Sequence, residues 1–99
     1  MHPNGIWDLS IATPIGRMEA VVELWEEAGA LRGKAFGAGE ETPLLDVAVH
    51  GDRLTWRQSI TKPIRLNLAF DLSVDGDTMT GTSKAGPLPS SKVAGQRRP

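Results

Sequence analysis

The longest alternation of apolar and polar positions lies in the second half of the chain. Ile64, Leu66, Leu68, Phe70, Leu72 and Val74 alternate with Arg65, Asn67, Ala69, Asp71 and Ser73. A period of two sustained over this stretch predicts a β-strand with one buried face. Shorter stretches repeat the pattern. Trp7, Leu9 and Ile11 share one face, as do Leu45, Val47 and Val49. Leu54, Trp56, Gln58 and Ile60 share another, opposite Arg53, Thr55, Arg57 and Ser59. Met18 to Glu27 also carries helical periodicity. Read as a strand, it turns Met18, Ala20, Val22 and Leu24 inward.

The segments fall into a repeated hairpin. Val49-His50-Gly51-Asp52-Arg53-Leu54-Thr55 and Val74-Asp75-Gly76-Asp77-Thr78-Met79-Thr80 share one template, and a weaker copy turns at Ala28-Gly29. Four such hairpins predict eight strands, at about 5–13, 17–26, 30–37, 43–50, 53–61, 64–74, 78–85 and 92–97. Ala28-Gly29, Gly51-Asp52 and Gly76-Asp77 suit tight turns at one end. The other connections carry Pro14, Pro43, Pro63, Pro87 and Pro89. Two of these, Gly37 to Thr42 and Gly86 to Ser91, read as longer and mark a looser mouth. An open meander would leave its apolar face wet, so the sheet is expected to close into an all-β, antiparallel up-and-down barrel spanning 1–99 as one domain. The turns then fix register. Val49 meets Leu54, which sets Asp46 against Arg57. Val74 meets Met79, which sets Leu72 against Gly81 and Phe70 against Ser83. Lys62 meets Ile64, which sets Trp56 against Phe70.

Gly5-Ile6-Trp7 opens the first strand and Gly95-Gln96-Arg97 closes the last. Both fall at the tight end, so Trp7 and Arg97 should meet there. This pairing resembles the lipocalin and avidin (calycin) barrels, whose first-strand Gly-x-Trp packs against a basic residue of the last strand. The resemblance implies a calycin-like barrel. The chain lacks the lipocalin flanking helix and the tyrosines that avidins turn on biotin, so no biotin site is carried over.

Charge and composition narrow the chemistry. Eleven basic residues against twelve acidic ones give a net charge of -1, which argues against a nucleic-acid partner. Without cysteine there is no disulfide, thiolate zinc site or thiol nucleophile. No apolar run suits a membrane span, and Met1-His2-Pro3-Asn4 does not resemble a secretion signal, so a cytoplasmic protein is expected. His50 and Asp46 share a strand face as base and orienter would, but that face reads as the outer one. Glu19 and Glu23 read as surface partners of Arg32 and Lys34. Asp75-Gly76-Asp77 offers two carboxylates where calcium needs six to eight oxygens. Gly37-Ala38-Gly39 lacks the following Lys-Ser/Thr and helix of a phosphate loop. No cofactor or metal is expected.

The interior is more informative. Small residues on two strands, Gly33 and Ala35, then Gly81, Ser83 and Ala85, leave room inside. A ligand site is expected at Trp56, Gln58, Phe70, Ser83, Leu68 and Met18, an apolar pocket with few polar anchors. Three functions compete: binding of one small hydrophobic or aromatic molecule, a small cofactor-independent isomerase, cyclase or lyase using the same lumen, and a filled structural barrel. On the outside, Val21, Trp25 and Phe36 form an apolar patch that suggests a homodimer.

Overall fold

The computed structural model describes residues 2–14, 16–61 and 65–99. Among them the chain forms nine strands: β1 (Gly5–Thr13), β2 (Gly16–Glu27), β3 (Ala30–Gly37), β4 (Glu40–Pro43), β5 (Leu45–His50), β6 (Arg53–Ile60), β7 (Leu66–Asp75), β8 (Thr78–Ala85) and β9 (Ser91–Arg97). Their order in the sheet is β4-β3-β2-β1-β9-β8-β7-β6-β5. Sheet neighbours are sequence neighbours everywhere except at β1 and β9. The result is an up-and-down antiparallel barrel, nearly closed, whose edge strands β4 and β5 follow each other in the chain. The segment 18–27 lies within β2 as strand, not helix.

The strand count of eight is corrected to nine because the segment 43–50 is broken. Leu44 is buried, and its N–H donates to the Gly33 carbonyl at 2.9 Å, extending the contact with β3. Leu45 already pairs with Arg57 of β6. Asp46 follows at φ 51°, and the β5–β6 register shifts between Leu45 and Ala48. An extra residue on one strand bends it and raises its twist. The chain therefore leaves β3 and turns onto β6 at this corner. The inward phase changes with it. Leu44 takes the core position expected for Leu45, which is 44% exposed, and Val49 is exposed as well. Val47 keeps a half-buried contact with the core. Towards the mouth, the Glu40 carboxylate accepts from the Thr61 N–H at 3.0 Å and from the Thr61 hydroxyl. This ties the start of β4 to the end of β6.

The long connection expected from Gly37 to Thr42 is also corrected. Ala38 and Gly39 have φ of 52° and 75° and form a two-residue turn. Positive φ at both central positions matches the right-handed twist of a hairpin. Pro43 ends β4 at the corner, where the ladder stops. The expected Lys62–Ile64 pairing and Pro63 lie outside the described residues. The other registers fall as the turns dictate: Val49 against Leu54, Trp56 against Phe70, Phe70 against Ser83 and Leu72 against Gly81.

The tight end is solid. Trp7, Leu54, Trp56, Leu72 and Met79 are each no more than 1% exposed. Trp7 donates from Nε1 to the Pro3 carbonyl at 2.9 Å, and the Arg97 guanidinium stands 4.5 Å from its ring centroid. Arg97 is itself held on several sides. Its Nε donates to Asp77 at 2.9 Å, its Nη2 to the Gly76 carbonyl at 3.0 Å, and its Nη1 to the carbonyls of His2 and Asn4. The outer wall carries cross-strand ion pairs. Arg53 beside Asp71, and Arg98 beside Asp8, hold those carboxyls below the usual carboxylate range through hydrogen bonds. Both pairs are solvent-exposed and contribute little to stability.

Candidate functional site

Above this plug the side chains thin out. Gly33 and Gly81 do not leave the room expected of them, since a Cβ at either would meet neighbouring atoms within 3 Å, and the small residues that line open space are Ala35, Gly37, Ser83 and Ala85. Two cavities result. An inner one of about 50 Å³ lies against Phe70, Gln58 and Thr42. A larger one of about 230 Å³ lies at the proline-bearing end, against Leu66, Ser83 and Ala85, with Leu88 and Pro89 from the β8–β9 loop. Ile11, Met18, Ile60 and Leu68 border both and form a collar between them. The Leu88 N–H donates to the Ala85 carbonyl at 3.1 Å, which fixes the start of the loop. Leu88 itself remains 49% exposed.

The six expected site residues are spread along the barrel axis. Trp56 is the deepest. Its ring stacks on Phe70 at 4.8 Å between centroids and 16° between planes. Its Nε1 donates to Gln58 Oε1 at 2.9 Å. One aromatic face and the Gln58 carbonyl are thus already engaged, and Trp56 borders neither cavity. It is a floor under Phe70. Phe70 and Gln58 border the inner cavity, Met18 and Leu68 border both, and Ser83 borders the mouth. The structure therefore brings five of the six to cavity walls and leaves Trp56 beneath them.

Leu88 escapes a reading by alternation, whereas Ser91 and Thr13 do not. Leu88 is a lone apolar residue between two prolines, and that flanking was its one signal. Ser91 and Thr13 extend the inward phases of Val93 and Ile11 by one step each.

The candidate acid–base groups lie outside. His50 is exposed, and the Asp46 carboxylate is engaged by Arg57, with Nε donating at 2.9 Å. Lys34 Nζ lies 3.8 Å from Glu23 and 3.1 Å from Glu41, so Glu23 is a surface partner as expected. Among the described residues, no group of three or more His, Cys, Asp or Glu is placed to hold a metal ion.

Neither a family model nor a curated protein matches the chain. A solved structure of a redesigned beta barrel is similar to it, with a TM-score of 0.76 and 13% sequence identity. The match covers 97% of this chain and 91% of that one. At that identity the likeness is one of fold, and it agrees with the nearly closed antiparallel barrel described above.

Proposed function

We propose that this barrel binds one small apolar molecule at its mouth. The observation that carries the reading is the cavity of about 230 Å³ under Leu88 and Pro89, with a predominantly apolar lining and a few hydroxyls. That is the usual make-up of a small-molecule site, and the proline-bearing end is the entrance. Among the described residues the buried polar side chains are Thr42, Gln58 and Ser83. None of these titrates in the range where general acid–base catalysis works, which favours binding over isomerase, cyclase or lyase chemistry in the same lumen. Gly5-x-Trp7 with Arg97 over the indole is the arrangement a calycin barrel would have, and it supports reading the chain as calycin-like.

Naphthalene tests the reading, because it is uncharged, rigid and of fitting size. One molecule should bind per barrel and quench part of the tryptophan emission. Ala85→Phe, which fills the mouth, should weaken binding at least tenfold while the melting transition persists. Trp25→Ala, on the outer wall, should leave binding intact. Binding that survives Ala85→Phe would place the site elsewhere.

The outer patch supports a homodimer. Val21 stands opposite Phe36, and Trp25 lies two outward positions further along β2. Phe36 is 38% exposed, with Lys34 Nζ 5.3 Å from its ring centroid. Sedimentation equilibrium should show a dimer that Phe36→Ser converts to monomer. A native chain that stays monomeric at high concentration rules this interface out.

A further inference from the structure

We infer that the molecule held at the mouth is an uncharged amphiphile, bound with its one hydrogen-bonding group pointing inward; this rests on the binding reading above. Two serine hydroxyls lie side by side on adjoining strands. Ser83 and Ser91 are direct partners between β8 and β9. Thr13, at the end of β1, also borders the cavity, but its hydroxyl already donates to the Gly16 carbonyl. All three residues border the mouth cavity, while Met18, Leu66 and Leu68 present apolar surface to it.

Ser83 lies below the rim, which Thr13 and Ser91 reach as strand-end residues. Ser83 is the cross-strand partner of Phe70, which borders the inner cavity, and it is only 5% exposed. The entrance side is apolar, formed with Leu88 and Pro89. A ligand that satisfies the hydroxyls therefore enters polar end first and leaves its hydrocarbon under the loop. A serine hydroxyl both donates and accepts, so an alcohol or a carbonyl suits it.

Charge decides the class. Among the described residues, no charged side chain borders this cavity. Lys84 and Lys92, the cations adjoining Ser83 and Ser91 in sequence, are exposed on the other face of their strands. A carboxylate or ammonium would give up its hydration here without a counter-charge, and that costs far more than burying a partnered hydroxyl. At the packing density of protein interiors, the volume corresponds to roughly ten non-hydrogen atoms. Medium-chain alcohols, small ketones and phenols meet these limits.

The test uses 1-octanol, octanoate and octylammonium at pH 7, followed by calorimetry and by the shift of the Met18 methyl resonance. Octanol should bind about tenfold or more tightly than either ion. Ser83→Ala and Ser91→Ala should each weaken octanol about three- to tenfold, as for the loss of one hydrogen bond. Both variants should keep the native melting transition, so that the loss reports the hydrogen bond and not the fold. If an ion binds as well as octanol, or if both serine variants bind octanol unchanged, the inference is overturned while naphthalene binding stands. If neither octanol nor naphthalene binds, the mouth is no ligand site and both readings fall.

Discussion

Trp7→Ala is expected to destabilise the barrel by about 3–5 kcal/mol, the range for truncating a fully buried large aromatic. Trp7 is 0% exposed. Its removal leaves a void in the core beneath the Arg97 guanidinium and frees the Pro3 carbonyl that its indole N–H engages. Urea unfolding of the purified variant measures the loss. Arg97 gives the decisive comparison, because its guanidinium covers the ring and also fans onto three backbone carbonyls and Asp77. The double variant with Arg97→Ala should show a coupling of about 0.5–2 kcal/mol, the size of a cation–π contact. Additive losses would mean that the two side chains act separately and that the plug is not one unit.

Gly81→Ala should be comparably damaging, although it adds only one methyl group. A Cβ built at Gly81 would stand 2.0 Å from the Asp71 carbonyl oxygen and 2.8 Å from Leu72 Cα. Both are backbone atoms of β7, so no rotamer change relieves the clash, and β7 and β8 must separate where Gly81 pairs with Leu72. Overpacking of a core costs about 1–3 kcal/mol when side chains can yield, and this site lies at or beyond the upper end. Gly76→Ala is the control. Among the described residues, no atom beyond its chain neighbours lies within 4 Å of its Cβ position, and its φ is +60°. The cost there is the left-handed conformation alone, about 1–2 kcal/mol. Equal melting temperatures for the two variants would show that the strands yield easily.

Much of this was legible in the chain. The Gly-Asp turns set Val49 against Leu54 and Phe70 against Ser83 as read. The shift between Leu45 and Ala48 puts Leu45 and not Asp46 opposite Arg57, which Asp46 reaches only through its side-chain ion pair. Trp7 and Arg97 met because both ends of the meander fall at one rim. The corner at Leu44 was not legible. Leu44 and Leu45 are adjacent and equally apolar, so period-two alternation fits either phase, and the positive φ at Asp46 that selects one has no marker such as glycine. The cavity lining was legible in part. Leu68 and Met18 follow from alternation, but the upper wall depends on Leu88 and Pro89, which sit in a loop with no period. Trp56 borders neither cavity for a different reason. Alternation tells which way a side chain points and not how deep it sits, and the stacking on Phe70 decides the depth.

The pairing of β1 with β9 has a consequence for how the barrel assembles. All the other ladders join strands that follow one another, and they can form as local hairpins. Trp7 and Arg97, by contrast, are partners ninety positions apart. Bringing the ends of so long a flexible loop together costs about 4 kcal/mol of chain entropy. A cation–π contact alone is too weak to offset that, so the ladder running from Trp7 to Ala12 and the burial of the indole must form with it. Two meanders, β1–β4 and β5–β9, can thus exist before the barrel does, hinged at Leu44 and waiting on one docking step. Trp7 and Arg97 act as the latch for that step, and a chain with the latch weakened should lose its late, cooperative phase of folding before it loses its hairpins.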